Sequence, residues 1–392
     1  MTHVERRIAQ EMKAMTRAEV LLKAMDGRIT WLQAADILGV TGRHVRRMKK
    51  RYERGGFDLL RDLRQGRHMR KRIPVATLTE LCRLRRERYP DFSIRHFHET
   101  VTEQHGLALS YTWTRHVLQE AGLAEKAPGR GTYRRRRERR PMVGMMVHLD
   151  ASTHAWIPGV PMQDLVVALD DADGRILYAA FVEQEGTIST FQALWHVLTQ
   201  HGRFCELYTD RGSHFCHTGK AGEPPDEFGG QLQRALRVLG IRHIRARSPQ
   251  ARGRGERAFG TIQGRLPQEL RAAGVTNYAQ ANEYLVTKFV PAFNRRFTVK
   301  PRESESAFTP IPAIDLAMLL SAQHERTVRN DGTVSYGGRM FQLPRLSGRA
   351  SYSRCVVVVH EFIDGTWGVS YHGKVLAHYT ADGEPIAKRS AA

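Results

Sequence analysis

The 392-residue sequence has only four cysteines, and they form neither a CxxC pair nor a dense cluster. Cys82, Cys205, Cys216 and Cys355 therefore read as reduced thiols of a cytoplasmic protein, which excludes a disulfide framework. Cys205, His214, Cys216 and His217 make no zinc pattern, because Cys205 falls inside an expected strand and the others crowd into one loop. Long hydrophobic runs are missing too. The longest, around Val356–Val359, is a handful of residues, whereas a bilayer span needs about 20. The opening Met1-Thr-His-Val-Glu-Arg-Arg leads into no apolar segment, so no secretory signal is expected. One interval almost lacks positive charge: residues 142–200 carry one Lys or Arg against seven acids.

Elsewhere positive charge dominates. The chain holds 61 Lys and Arg against 40 Asp and Glu, a net charge of +21. Residues 1–141 hold 33 basic and 16 acidic residues, residues 201–300 hold 17 and 8, and residues 301–392 hold 10 and 9. Such a distribution marks a polyanion ligand, since Lys and Arg neutralise phosphates and release counterions. Nucleic acid fits better than a membrane surface, because no basic amphipathic segment with an aromatic face is present. A hydrophobic content of 41% supports globular cores, and the length calls for several domains.

The first helices are read from periodicity. Leu32, Ala35, Ile37 and Leu38 fit one helix, Gly39 permits a tight turn, and Thr41 suits the N-cap of the next. That helix buries Val45, Met48 and Tyr52 and exposes Arg43, His44, Arg46, Arg47, Lys49 and Lys50. Helix, glycine turn and basic helix is the helix-turn-helix layout, whose second helix enters the major groove. A charged helix face by itself is more often merely solvated; the turn and the cap tip the reading to DNA.

Residues 74–124 are again helical, with Ser93 and Ser110 as caps, and form a candidate second helix-turn-helix. Residues 126–141 hold eight basic residues and one acid among Pro and Gly, the composition of a linker. Here Arg134, Arg135, Arg136 and Arg137 are candidate DNA contacts.

Past the linker the pattern turns to β-β-β-α-β-α-β-α, that of a mixed sheet with helices on its faces. Met142–Leu149 reads as a strand ending at Asp150, and Phe204–Tyr208 as another ending at Thr209-Asp210. Glu256 follows a Gly/Pro-rich loop at a helix start. Acids at neighbouring strand ends can converge, and three converging carboxylates repel unless a divalent cation joins them. Asp164, Asp170, Asp171 and Asp173 are better explained by a hairpin turn. Beside the acids, Arg252, Arg254 and Arg257 are candidate phosphate contacts. From Arg326 on, short strands and Gly turns read as a small β-barrel.

Several motifs then stand in a familiar order: Leu38-Gly-Val-Thr-Gly-Arg-His-Val-Arg-Arg, His148-Leu-Asp-Ala-Ser, Tyr208-Thr-Asp-Arg-Gly-Ser-His-Phe, Leu239-Gly-Ile, Ser248-Pro-Gln-Ala-Arg-Gly-Arg-Gly-Glu-Arg-Ala-Phe-Gly-Thr-Ile-Gln and Phe293-Asn-Arg-Arg-Phe. Over about residues 20–345 the chain resembles insertion-sequence transposases of the DDE type with an integrase-like core, and among them the ISNCY family. The resemblance implies a multidomain protein. Its parts are an N-terminal all-α helix-turn-helix, a central α/β RNase H-like core and a C-terminal small β-barrel.

We therefore expect a helix-turn-helix domain over 1–63, a second helical domain over 64–125 and a basic linker over 126–141. The catalytic core follows over 142–275, a helical extension over 276–325 and the β-barrel over 326–382. The resemblance also implies a catalytic and metal-binding triad of Asp150, Asp210 and Glu256 holding Mg²⁺ or Mn²⁺, two ions in all. The implied partners are double-stranded DNA, as element inverted repeats and target, and further copies of the chain, at least a dimer. The implied location is the bacterial cytoplasm, on the nucleoid. The simplest integrases space the last two acids more closely than the 45 residues between Asp210 and Glu256, and the loop 217–226 accounts for the excess. The HHCC zinc module of retroviral integrases has no counterpart. Two alternatives stay open: a non-catalytic DNA-binding regulator derived from a transposase, and a metal-dependent nuclease that cuts without joining.

The linker reading is testable. Charge reversal at Arg134–Arg137 is expected to weaken binding to every DNA sequence alike and to flatten its salt dependence. An unchanged salt slope in an anisotropy titration refutes phosphate contact by this segment.

Overall fold

The computed structural model describes residues 3–60, 73–125, 138–210, 230–246, 255–345 and 351–386, with side chains from Met12 on. The chain forms two compact units, Met1–Leu78 and Thr79–Ala392.

The first unit carries α1 (His3–Met25), α2 (Trp31–Leu38), α3 (Gly42–Gly55) and a 3-10 turn at Gly56–Leu60. Thr30 and Gln33 form a reciprocal capping box at the start of α2. Gly39 takes the left-handed conformation (φ 60°) that closes α2. Leu21, Ala34, Ala35, Val45, Met48 and Leu60 build the core. Two expectations are corrected. Leu32 and Ile37 point to solvent, since the buried side of α2 is its Ala34-Ala35 pair. Thr41 occupies the N-cap of α3, but its backbone carbonyl rather than its side chain accepts the first bond, from His44.

The second unit includes the helices α4 (Val75–Glu87), α5 (Ile94–His105) and α6 (Tyr111–Glu120). Ser93 and Ser110 cap α5 and α6 through their hydroxyls. Leu81, Leu84, Phe92, Phe97, Val101 and Leu118 make their core.

The central sheet follows: β1 (Met146–His154), β2 (Gln163–Asp170), β3 (Ile176–Val182), α7 (Thr187–His201), β4 (Glu206–Thr209), α8 (Gln231–Leu239) and β5 (Arg242–Arg245). The strand order is β3-β2-β1-β4-β5, with β1 antiparallel to β2 and parallel to β4. This is a mixed sheet of the kind implied for an RNase H-like core. Alternation along the strands gives it two apolar faces. Val147, Leu149, Val166 and Leu207 pack on α7 and α8. Leu165, Val167 and Phe181 face the next helices, α9 (Gly255–Gln263), α10 (Leu266–Ala272), α11 (Tyr278–Tyr284) and α12 (Val290–Phe297).

The expected single helix over 256–272 is thus two, broken before Pro267, which cannot donate the helical hydrogen bond. Between α11 and α12 lies a π turn, Leu285–Phe289. It underwinds the helix so that Asn282 and Asn294, twelve residues apart, both reach β3. Each side-chain amide accepts from and donates to one residue of that free edge, Asn282 at Phe181 and Asn294 at Ile176. The edge is thereby covered. The segment after α12 then runs back along the start of the core, with Val299 N donating to Asp173 O and Ala307 N to Val143 O.

After α13 (Leu316–Leu319) come β6 (Ala322–Thr327), β7 (Thr333–Tyr336), β8 (Arg339–Gln342), β9 (Val356–Glu361), β10 (Trp367–Tyr371), β11 (Lys374–Tyr379) and β12 (Pro385–Ile386). The expected barrel is corrected here: the described strands form an open sheet, β12-β11-β10-β9-β6, and a separate hairpin, β7-β8. Val334 and Phe341 of the hairpin share one core with Val357, Val359, Trp367 and Val369. Apolar packing, not a closing ladder, completes this layer.

That sheet is pinned to α8. The Gln231 amide bonds both the N–H and the carbonyl of Gln323, and Arg234 donates to Ser321 O. His360, buried between the hydroxyls of Ser321 and Ser370, bridges β9 and β10 to this joint. Burial, with the Arg234 charge second, pushes the His360 pKa down to about 4. The unfolded chain takes up a proton near 6.5 that the folded chain refuses until about 4. Stability is therefore expected to fall as pH drops through that window, by up to about 3 kcal/mol, and to level off below it. Chemical denaturation from pH 7 to 4 measures this, and His360→Gln should remove this residue's share of the loss.

Candidate active site

The site is set by strand register. β1 and β4 pair in parallel with Met146 against Glu206, Val147 against Leu207 and His148 against Tyr208. Two residues further on, Asp150 and Asp210 stand level. Both lie on the face opposite Val147, Leu149 and Leu207, the face that α9 covers.

One expectation about the first acid changes. Asp150 is not at a strand end, because antiparallel pairing with β2 carries β1 on to His154, with Asp150 opposite Val167. It lies instead where β4 leaves the sheet. Asp150 and Asp210 line one small cavity of about 10 Å³ together with His148, Leu149, Val167, Leu169, Tyr208, Thr209 and Gly255, space for about one water molecule. Both acids are half-buried. Ala151 N donates to Asp150 Oδ1 at 3.0 Å.

The start of α9 closes the wall. A Cβ built on buried Gly255 would lie 3.3 Å from Asp150 Oδ2, so a glycine lets the helix backbone approach the carboxylate. Glu256 is the next residue. Its side chain is exposed and does not line the cavity. Among the described residues no three His, Cys, Asp or Glu side chains group as a metal site. The fold thus brings two of the three expected acids together and puts the third one residue beyond the wall. Half-buried carboxylate oxygens on adjacent strands are a donor set that fits a hard divalent cation, and the one imidazole lining the cavity, His148, is already bonded to Asp171.

Beneath the acids lies a support that sequence reasoning missed. His148, on the same face as Asp150, bonds Asp171 Oδ1 through Nε2 at 2.7 Å, and both side chains are under 10% exposed. Asp171 Oδ2 accepts Arg140 N at 2.7 Å. Asp170 accepts from Gly144 N and Ala172 N, and desolvation raises its pKa. The turn acids therefore hold backbone and His148 together as well as making the turn. Asp164 is not in the turn at all; it opens β2, bonding Thr153 Oγ1 and Glu185 N. The only signal for His148 was its place two residues before Asp150.

A second support fixes Asp210. The Thr209 hydroxyl donates to Asp210 O at 2.8 Å and meets His243 Nε2 at 2.8 Å, while Gln233 Nε2 reaches His243 Nδ1. Burial holds the His243 pKa down at about 4, so near neutral pH the ring is an uncharged prop.

The candidate DNA contacts divide by place. Arg43, His44, Arg46, Arg47 and Lys50 are exposed on α3; Lys49 is half-buried, 5.1 Å over the Trp31 ring and 3.6 Å from Glu53. Arg257 is exposed on α9. Arg134, Arg135, Arg136, Arg137, Arg252 and Arg254 lie outside the described residues, as do His214, Cys216 and His217. No described helix is long and apolar enough to cross a membrane.

Comparison with known proteins gives three kinds of match. Residues 11–61 match a family described as a homeodomain-like domain. The chain is 32% identical over 382 residues to the protein named transposase y4bF of Sinorhizobium fredii (strain NBRC 101917 / NGR234), covering 96% of this chain and 82% of that one. It is 26% identical over 374 residues to the transposase for insertion sequence IS1202 of Streptococcus pneumoniae, covering 86% and 79%. Among solved structures, the HTLV-2 integrase catalytic core domain in complex with magnesium aligns at 17% identity and TM-score 0.32, over 41% of this chain and 91% of that one. A simian T-cell lymphotropic virus intasome in complex with PP2A regulatory subunit B56 gamma aligns at 16% and 0.35, over 76% and 100%.

The support pair makes a prediction. His148→Phe removes a side-chain partner of the buried Asp171 Oδ1 while the Arg140 N bond at Oδ2 stays, and should cost about 3 kcal/mol in urea unfolding. The double variant His148→Phe/Asp171→Leu should recover much of that loss. Strictly additive losses rule out the coupling.

Proposed function

This chain belongs to the insertion-sequence transposases, and on that premise we propose that it is a DDE enzyme of the ISNCY family that cuts its element's 3′ ends and joins them to target DNA. The observation that carries the reading is the level pair Asp150 and Asp210 on the face that α9 reaches with Gly255, one residue before Glu256.

In this reading Asp150 and Asp210 supply carboxylate oxygens from the rigid sheet, and Glu256 swings in from the first turn of α9. These three residues would hold Mg²⁺ or Mn²⁺, in a pair. When bound, such ions supply charge neutralisation and activation of a water or hydroxyl oxygen. The chain's own part is positioning: the Thr209–His243 bond fixes the backbone of Asp210, and the His148–Asp171 pair fixes the floor below Asp150.

Two in-line displacements follow. Water attacks phosphorus at the element end, the P–O3′ bond to the element breaks, and a free 3′ hydroxyl remains. That hydroxyl oxygen then attacks a target phosphorus, the P–O3′ bond there breaks, and the target 3′ oxygen leaves with a proton. No covalent protein intermediate forms. The α3 face, with Arg43, His44, Arg46, Arg47, Lys49 and Lys50, would dock in the major groove of the inverted repeats, while Arg134–Arg137, Arg252, Arg254 and Arg257 would hold phosphates. Two ends brought together imply at least a dimer on DNA.

Strand transfer of the element's own end DNA with Mg²⁺ tests this. Asp150→Asn, Asp210→Asn and Glu256→Gln should each lower joining by about 100-fold or more while leaving binding intact. Joining at the wild-type level in these variants overturns the triad. Cleavage without joining by the wild type selects the nuclease, and binding without cleavage selects the regulator.

A further inference from the structure

On the core unit, residues 138–140 and the segment 299–302 form the two sides of a groove of about 470 Å³. Arg139, Arg140, Lys300 and Arg302 line it with one acid, Glu138. Both sides are clamped by backbone bonds. Val299 N donates to Asp173 O at 2.9 Å and Glu303 N to Pro141 O at 3.0 Å, so Lys300 and Arg302 sit on a short span held at each end.

The four cations divide into two kinds. Arg139 Nη1 donates to the carbonyls of Asp171 and Ala172, both at 3.3 Å. A Cβ at Gly174 would lie 3.1 Å from that nitrogen, so the glycine keeps its place open. Arg140 pairs with Glu206 at 2.5 Å. Lys300 and Arg302 are exposed and form no ion pair among the described residues. Two anchored arginines thus shape the groove, and two uncommitted cations face whatever enters it.

We propose that this groove is a binding site for the DNA phosphodiester backbone, separate from the carboxylate cavity. The inference rests on the transposase reading. Three observations select this ligand. The first residue of the groove, Glu138, follows the run Arg134–Arg137 in the sequence. Its lining sets four cations against a single acid on a clamped backbone, the charge balance that suits a run of phosphates. It is tied to the carboxylate cavity, because Asp171 binds both Arg140 N of the groove and His148 Nε2 of the cavity. A phosphate seated here is held in fixed relation to Asp150, two residues from His148.

The test is anisotropy of the full-length chain on labelled mixed-sequence duplexes over a KCl series. Lys300→Ala/Arg302→Ala should lower the slope of log K against log salt by about 2, one for each phosphate no longer neutralised, equally on unrelated sequences. Lys300→Arg/Arg302→Lys should keep the wild-type slope. An unchanged slope in the alanine variant overturns the groove and leaves the transposase reading standing. A wild type that binds no duplex overturns both. If the alanine variant loses binding to poly-glutamate but not to duplex, the ligand is an acidic polypeptide and the proposal fails.

Discussion

Parallel pairing between β1 and β4 is the constraint on which the site depends. Its register sets Asp150 level with Asp210, and alternation puts both on the face beneath α9. A slip of one residue would turn Asp210 toward α8 and into the apolar layer of Leu207, Leu232 and Leu236. The two strands do different work. β1 stays paired with β2 as far as His154, which holds Asp150 stiffly in mid-strand. β4 ends at Thr209, so Asp210 needs a separate brace, the Thr209 hydroxyl backed by His243.

Around this pair many polar groups of the interior find partners across the chain. Of the seven acids in residues 142–200, the three in the β2–β3 turn are buried and accept bonds from Gly144, Ala172, Arg140, His148 and Arg175. The free edge of β3 is covered by two asparagines brought into line by a π turn. The C-terminal sheet is fixed to α8 by glutamine and arginine bonds, with His360 holding Ser321 from the sheet side and Ile363 packing on the apolar cluster of α8. Each arrangement leaves few ways for the chain to pair wrongly.

The positive charge has several settings. On α3 it forms an exposed face over the small core of Val45 and Met48. Near the core sheet much of it is already used: Arg265 and Arg296 meet Glu99, Arg271 meets Asp91, and Arg140 and Arg242 share Glu206. Net charge along the chain therefore overstates what is open to a polyanion. Lys300 and Arg302, at the end of one basic stretch and the start of a nearly neutral one, are freer than many arginines nearer the core sheet.

What was legible in the amino-acid order is what depends on neighbours in the chain. Apolar periodicity and caps identified the helices, since Ser93, Ser110 and Gly39 act on the turns beside them. The order of strands and helices marked an α/β core, and the resemblance carried by the motifs, rather than spacing, pointed to Asp150, Asp210 and Glu256 as the candidate acids. Features that depend on distant partners emerged only from the folded chain. Register between strands 60 residues apart levels the two aspartates, and no local pattern reports it. Asp171 was legible as a turn residue but not as the partner of His148, because that bond joins positions 23 residues apart. The C-terminal strands were legible one by one, yet whether they close is decided by pairing among all of them, and their edges stay open while a hairpin packs across. Propensity and capping act within a few residues, whereas pairing, burial and charge matching are fixed only when the whole chain has packed.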